Sequence, residues 1–176
     1  MARIFDILDL AAFWLTRLVL GVCALAFFAC LMMLLADITG RYILNYPLQR
    51  VSETVTITFI WIYLLGAAAL YSRNEDIFVD TFFLLAPERM RALWLLLIQL
   101  AIVACMIVVL RETLHLIHVQ RRMLTPLLRL PLAVQHYALA AATIMIAFTC
   151  LIDALGSLIW LLRGHRPERR KIALDP

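Results

Sequence analysis

Residues 18–36 read LVLGVCALAFFACLMMLLA, a run of 19 residues without a charged side chain. Three similar runs follow at residues 54–72, 92–110 and 130–152. A helix needs about 20 apolar residues to cross a hydrocarbon core of roughly 30 Å, and a helix satisfies its own backbone hydrogen bonds there. The sequence therefore predicts an all-α integral membrane protein with four transmembrane helices.

The composition excludes the soluble classes of protein. Hydrophobic residues make up 65% of the 176 residues and charged residues only 16%, whereas soluble domains are about 45–50% apolar. A domain of this size cannot hide so much apolar surface from water, because its surface-to-volume ratio is too high. A soluble enzyme, a disordered regulator and a disulfide-stapled secreted domain are therefore excluded.

Residues 1–176 are predicted to form a single membrane domain. We expect spans near residues 16–38, 52–72, 92–112 and 132–154, and a tail at residues 163–176. Residues 2–13 have apolar and acidic side chains on different faces, which predicts an amphipathic helix lying along the membrane surface. The third span should continue as a helix towards residue 123, because no helix breaker follows it, and its polar end should leave the bilayer.

The basic residues indicate how the chain is oriented. Ten of the 16 Lys and Arg residues lie on the side of the two termini and six on the other side. The positive-inside rule therefore predicts that both termini are cytoplasmic. The formal net charge of +4 does not indicate nucleic-acid binding, because the basic residues lie between the apolar runs rather than in one patch.

The sequence offers little for catalysis, metals or cofactors. All four cysteines lie inside apolar runs without a Cys-x-x-Cys pair, as packing residues do. The histidines lack the second pair, at the opposite membrane depth, that haem ligation would require. Glu112-x-x-His115 lacks the second copy of a di-iron site. We therefore predict no catalytic residue, no metal and no cofactor. The runs also carry no Asp, Glu, Lys or Arg, so the chain is poorly equipped to transport a solute alone.

Polar residues are concentrated in two clusters, at residues 37–53 and 73–80. Asp37 and Arg41 have the i,i+4 spacing of a helical ion pair. Between the clusters, residues 66–69 are Gly-Ala-Ala-Ala, a small-residue segment that another helix can approach closely. Ordinary solvated loops would explain the clusters, but the small-residue segment favours a protein partner in the membrane.

The ordered motifs of this region resemble a known family. They are Arg41-Tyr42, Asn45-Tyr-Pro47-Leu48, Glu53, Trp61, Leu65-Gly66-Ala67-Ala68, Arg73 and Ile77-Phe-Val79-Asp80. In this order and spacing they resemble the small membrane subunit of tripartite ATP-independent periplasmic (TRAP) transporters. The chain departs from the family at Ser52, where members have a carboxylate, and at Asp76, where they have His.

The resemblance implies a subunit without enzymatic activity in a sodium-driven transporter for organic acids such as carboxylates. It would lie in the inner membrane of a bacterium or archaeon, in contact with the lipid bilayer. It would pack against the large membrane subunit as a stable scaffold and meet a periplasmic substrate-binding protein transiently. The sodium and substrate ligands would belong to the large subunit, so no substrate-binding residue is expected here.

The resemblance also suggests which residues meet the partner. Four would shape the outer turn between the first two spans, two would lie on the partner-facing side of the second span, and four would form a cytoplasmic polar cluster. These are, in turn, Arg41, Asn45, Pro47 and Glu53; Trp61 and Gly66; and Arg73, Glu75, Asp76 and Asp80. A membrane anchor of a b-type cytochrome complex and a self-contained small exporter remain as alternatives.

Overall fold

Four long helices make up nearly all of the structure, a computed structural model that describes residues 2–43, 49–72 and 88–163. The helices are α1 (Ala2–Ile43), α2 (Gln49–Ser72), α3 (Glu88–Gln120) and α4 (Ala133–Arg163). Each is long and apolar enough to cross a membrane. Within the described residues the only β-type pairing is an isolated bridge between Leu124 and Pro131. The predicted all-α membrane fold is confirmed.

Helix α1 is a continuous helix of 42 residues, about 63 Å long at 1.5 Å per residue. Residues 2–13, which we expected to form a separate surface helix, are its first turns. No Gly or Pro lies between Ala2 and Leu20, so the sequence gives this helix no reason to end. Ala12 in this segment packs against Ile152 of α4, which draws the start of α1 into the helical assembly.

Helix α4 is the central helix among the described residues. It packs against α2, against α3 and against the start of α1, while α2 also packs against α1. The described residues of α3 pack against α4 and against neither α1 nor α2. Half of the residues in the most apolar stretch of α4 are buried, but none in that of α3. Helix α3 is thus the most open of the four described helices.

Small side chains bring α2 close to α4. Ala68 and Ala69 of α2 are completely buried and pack with Ala142 and Met145 of α4. Alanine at such positions lets two helix backbones approach, so packing contacts and hydrogen bonds can form between them in lipid. Half of the small-residue segment predicted to meet a partner is therefore used inside the chain.

Two polar contacts join the same pair of helices. The Ser72 hydroxyl lies 2.7 Å from the Thr149 hydroxyl, and the Tyr71 hydroxyl lies 3.1 Å from Sγ of Cys150. Thr149 also donates to the carbonyl of Met145 at 3.0 Å. These contacts satisfy polar groups that would be costly to leave unpaired in hydrocarbon.

Helices α3 and α4 are joined by two side-chain hydrogen bonds, one within the span and one at the end of α3. The Ser157 hydroxyl donates to Oε1 of Gln99 at 3.0 Å. At the end of α3, Nε2 of His136 lies 2.9 Å from Oε1 of Gln120. Gln120 is the last residue of α3, so the helix ends three residues before the predicted end. The predicted extension of this helix beyond its uncharged run is confirmed.

Candidate partner interface

One face of α2 is largely open in the part of the chain that the structure describes. Its exposed residues recur at spacings of three and four, which places them on one side of a helix. We call them the α2 stripe: Thr56, Phe59, Tyr63, Ala67 and Leu70. Phe59 at its edge also makes an edge-to-face contact with Phe27 of α1, with ring centroids 6.0 Å apart. The stripe is therefore an open surface that borders the α1–α2 contact.

Tyr63 is the polar group at the centre of the α2 stripe. It stands midway along the uncharged run 54–72, and 75% of the residue is exposed. Its hydroxyl makes no hydrogen bond to any residue that the structure describes. Tyrosine usually lies at the membrane surface, because an unpaired hydroxyl in hydrocarbon costs about 4–8 kcal/mol. The position of Tyr63 therefore favours a partner that offers a hydrogen bond.

Gly66 lies at the edge of the α2 stripe and leaves open space beside the helix. A Cβ atom built on it would meet nothing within 4 Å. The next residue, Ala67, is exposed, whereas Ala68 and Ala69 are buried. The small-residue segment therefore divides into an inner half that meets α4 and an outer half that a second helix can approach.

Trp61 and Gly66, predicted to share one face, lie on different sides of α2. Five residues separate them, which corresponds to about 140° around a helix. Trp61 is half-buried, so its side chain already packs partly within the chain. Of these two residues, Gly66 is the one that borders the open stripe.

The predicted ion pair at the end of α1 is present. Nη2 of Arg41 donates to Oδ2 of Asp37 at 3.0 Å. The Asp37 side chain is only 10% exposed, whereas that of Arg41 is 56% exposed. Arg41 therefore neutralises a largely enclosed carboxylate and keeps part of its guanidinium available at the surface.

Glu53 binds a loop that the sequence analysis did not connect with it. Its Oε2 accepts hydrogen bonds from the backbone N–H groups of Leu127 and Leu128, at 3.0 and 2.8 Å. These residues lie in the connection between α3 and α4. The other oxygen, Oε1, is enclosed and has no hydrogen-bond partner among the described residues. Glu53 thus fastens the α3–α4 loop to the first turns of α2.

Thr125 completes the order of the same loop. Its Oγ1 accepts the N–H of Leu130 at 3.0 Å and its carbonyl accepts the N–H of Arg129 at 3.2 Å. With the two bonds to Glu53, the four consecutive N–H groups of residues 127–130 all have acceptors, as backbone groups in folded proteins generally do. Arg129 has φ 53°, a left-handed conformation uncommon for a residue with a side chain. These hydrogen bonds hold Arg129 in that conformation.

The remaining six predicted interface residues lie outside the part of the chain that the structure describes. They are Asn45, Pro47, Arg73, Glu75, Asp76 and Asp80. Tyr63 was not among the predicted interface residues, although a hydroxyl at the centre of an uncharged run could have revealed it. No local sequence pattern links the α3–α4 loop to Glu53.

The four long apolar helices define the class of the protein as a multi-pass membrane protein, and the α2 stripe is an open surface on it. The family model "Tripartite ATP-independent periplasmic transporters, DctQ component" matches residues 30–159. The chain belongs to this family, the small permease component of TRAP transporters. No curated protein matches the chain.

Membership in the DctQ family sets the class of function. DctQ is a transporter component family and not an enzyme family, and in TRAP systems it works with DctM and a substrate-binding protein. The match favours a transporter component over the anchor of a b-type cytochrome. The matched residues include Glu53, Tyr63 and Gly66.

Proposed function

We propose that this chain is the scaffolding subunit of a sodium-driven TRAP transporter that takes up organic acids, chiefly carboxylates. It packs stably against the large DctM subunit, which holds the sodium and substrate ligands. A periplasmic substrate-binding protein delivers the substrate and touches the complex transiently. The complex lies in the inner membrane of a bacterium or archaeon.

Tyr63 is the observation that carries the assignment of a membrane partner. A phenol at the middle of a span is stabilised by a hydrogen-bonding group of another protein, whereas acyl chains offer none. Gly66 and Ala67 beside it permit the backbone of a second helix to come close. We therefore assign the α2 stripe, with Gly66, as the contact with DctM.

The open position of α3 and the composition of the spans favour a scaffolding role over independent transport. Among the described helices, α3 packs against α4 alone. A translocation path needs polar or ionisable groups near the midplane. The uncharged runs hold no Asp, Glu, Lys or Arg, so transport falls to the large subunit.

The orientation follows from the basic residues. With ten Lys and Arg on one side and six on the other, both termini are assigned to the cytoplasm. The α3–α4 loop fastened by Glu53 then lies on the periplasmic side, together with the start of α2. Arg41, Asn45, Pro47 and Glu53 form the outer part of the partner surface, and Arg73, Glu75, Asp76 and Asp80 the cytoplasmic part.

Reconstituted transport tests the proposal. Proteoliposomes that contain this chain and DctM, with the binding protein added outside, should take up labelled carboxylates when sodium is high outside. Vesicles without this chain, or with potassium in place of sodium, should show background uptake. Full uptake without this chain would refute the scaffold role, and full uptake without a sodium gradient would refute sodium coupling.

A further inference from the structure

Two arginines fix the depth of α3 in the membrane. Arg91 and Arg111 bound its uncharged run of 19 residues, which is about 29 Å long at 1.5 Å per residue. The hydrocarbon core is roughly 30 Å thick. Each arginine therefore lies at one boundary of the core, where lipid phosphates are found.

A row of basic and imidazole side chains begins at the Arg111 boundary. Arg111, His115 and His118 follow each other at spacings of four and three, so they share one face of α3. Arg122 follows in the turn after the helix. We call these four residues the α3 basic stripe. All four are exposed, and none of their side chains makes a hydrogen bond or ion pair with another described residue. Glu112, the neighbouring acid, points about 100° away from Arg111.

The same face of α3 is aliphatic on the N-terminal side of the α3 basic stripe, towards the middle of the membrane. Leu93, Leu97, Leu100 and Ile107 lie in line with Arg111 at helical spacings, and all are exposed. One leaflet of hydrocarbon is about 15 Å deep, which corresponds to about ten helical residues. Leu100 and Ile107 therefore lie at the depth of acyl chains whose headgroups reach Arg111.

We propose that this face of α3 binds a phospholipid with an anionic headgroup. The guanidinium of Arg111 pairs with the phosphate, for which its planar fork of donors is suited, and the imidazole N–H groups of His115 and His118 add donors. The acyl chains lie against Leu100 and Ile107. The site is independent of the α2 stripe and of its assignment to DctM.

A lipid fits this face better than a protein does. The α2 stripe carries the Tyr63 hydroxyl, which requires a polar partner at the membrane centre. The α3 face carries aliphatic side chains at the same depth, and Gln99 on the other side of α3 is bonded to Ser157. Its polar groups begin only at the height of the lipid headgroups. Hydrocarbon below and phosphate above are what a phospholipid supplies.

Photo-crosslinking in the complex with DctM tests this site. The complex is placed in phosphatidylcholine nanodiscs with small, equal amounts of phosphatidylglycerol and phosphatidylcholine probes that carry a diazirine on the acyl chain. Peptide mapping then gives the ratio of the two labels on residues 97–108. Each arginine near the surface should favour the anionic probe about fivefold. With two arginines, the ratio of phosphatidylglycerol label to phosphatidylcholine label should therefore be about 25.

Two variants and a control separate the outcomes. The double variant Arg111→Gln with Arg122→Gln should bring the ratio of the two labels close to one. The double variant Arg111→Lys with Arg122→Lys keeps both charges, so most of the preference for phosphatidylglycerol should remain. Arg50 is an exposed arginine of α2 at the same membrane boundary in the proposed orientation. Arg50→Gln should therefore leave the ratio of the two labels unchanged. A ratio near one in the unchanged chain, or a ratio insensitive to the Gln variants, would overturn the proposal. So would the absence of lipid label on α3, because it would mean that protein covers this face.

Discussion

Replacing Gly66 by leucine separates an effect on the partner from an effect on the chain itself. A Cβ at this position meets nothing within 4 Å, so a side chain can leave the helix here without a close contact at its first atom. Leucine is also a better helix former than glycine. We therefore expect Gly66→Leu to leave the thermal unfolding of the purified chain unchanged or slightly improved.

The same substitution should weaken the complex with DctM. If a helix of DctM packs against Gly66, a leucine side chain stands where the second backbone has to come. Forcing extra methylene groups into a packed contact costs about 1–3 kcal/mol. This corresponds to a roughly 5- to 150-fold weaker association, since each 1.4 kcal/mol is about a factor of ten.

Gly21→Leu is a matched control for this experiment. Gly21 is a glycine of α1 that is exposed and, like Gly66, has nothing within 4 Å of an added Cβ. The two variants therefore make the same chemical change on neighbouring helices, at positions where an added Cβ meets no neighbour. Dissociation constants for DctM, measured in one detergent with a labelled chain, compare them directly.

The outcomes of this comparison are distinct. Weaker binding in Gly66→Leu alone supports the α2 stripe as the contact with DctM. Equal binding in both variants and the unchanged chain would refute that assignment. Weaker binding in Gly21→Leu alone would move the contact to α1. A drop in the thermal unfolding temperature of the isolated Gly66→Leu chain would contradict the open space at that position.

Three further substitutions test other parts of the structure. Tyr63→Phe keeps the ring and removes one hydrogen bond, so the complex with DctM should weaken by about 0.5–1.5 kcal/mol; unchanged affinity would mean that the hydroxyl has no partner there. Glu53→Ala removes the acceptor for two amides, and hydrogen exchange should accelerate at least about tenfold in residues 127–128, whereas Glu112→Ala should leave them as they are. Ala69→Leu overfills the contact between α2 and α4 and should lower the stability of the isolated chain by about 1–3 kcal/mol, while Ala67→Leu, on the open side, should not.

The spans were predictable from the sequence because long uncharged runs have few alternatives. The Asp37–Arg41 pair and the extension of α3 were predictable for a similar reason, since both depend on spacing within one helix. The start of α1 was not, because an amphipathic pattern suits a surface helix and also a helix that packs on a neighbour. Here Ala12 meets Ile152, and the helix continues without a break.

The neighbours of each helix could not be predicted in the same way. In a soluble protein the apolar face of a helix marks the core, but in a span nearly every face is apolar. Gly66 and Ala69 have similar chemistry in the sequence, yet one lies beside open space and the other is buried against α4. The contact between Glu53 and Leu127 joins residues 74 positions apart, and no local pattern links them.

The hydrogen bonds of Glu53 can form only late in the synthesis of the protein. During synthesis the carboxylate leaves the ribosome long before Leu127 and Leu128, so it spends that interval in water or against the insertion machinery. It finds its two amides only after α3 has been inserted and the chain has begun to turn back. This contact therefore joins the first half of the chain to the second, and it can form only once both halves have been made.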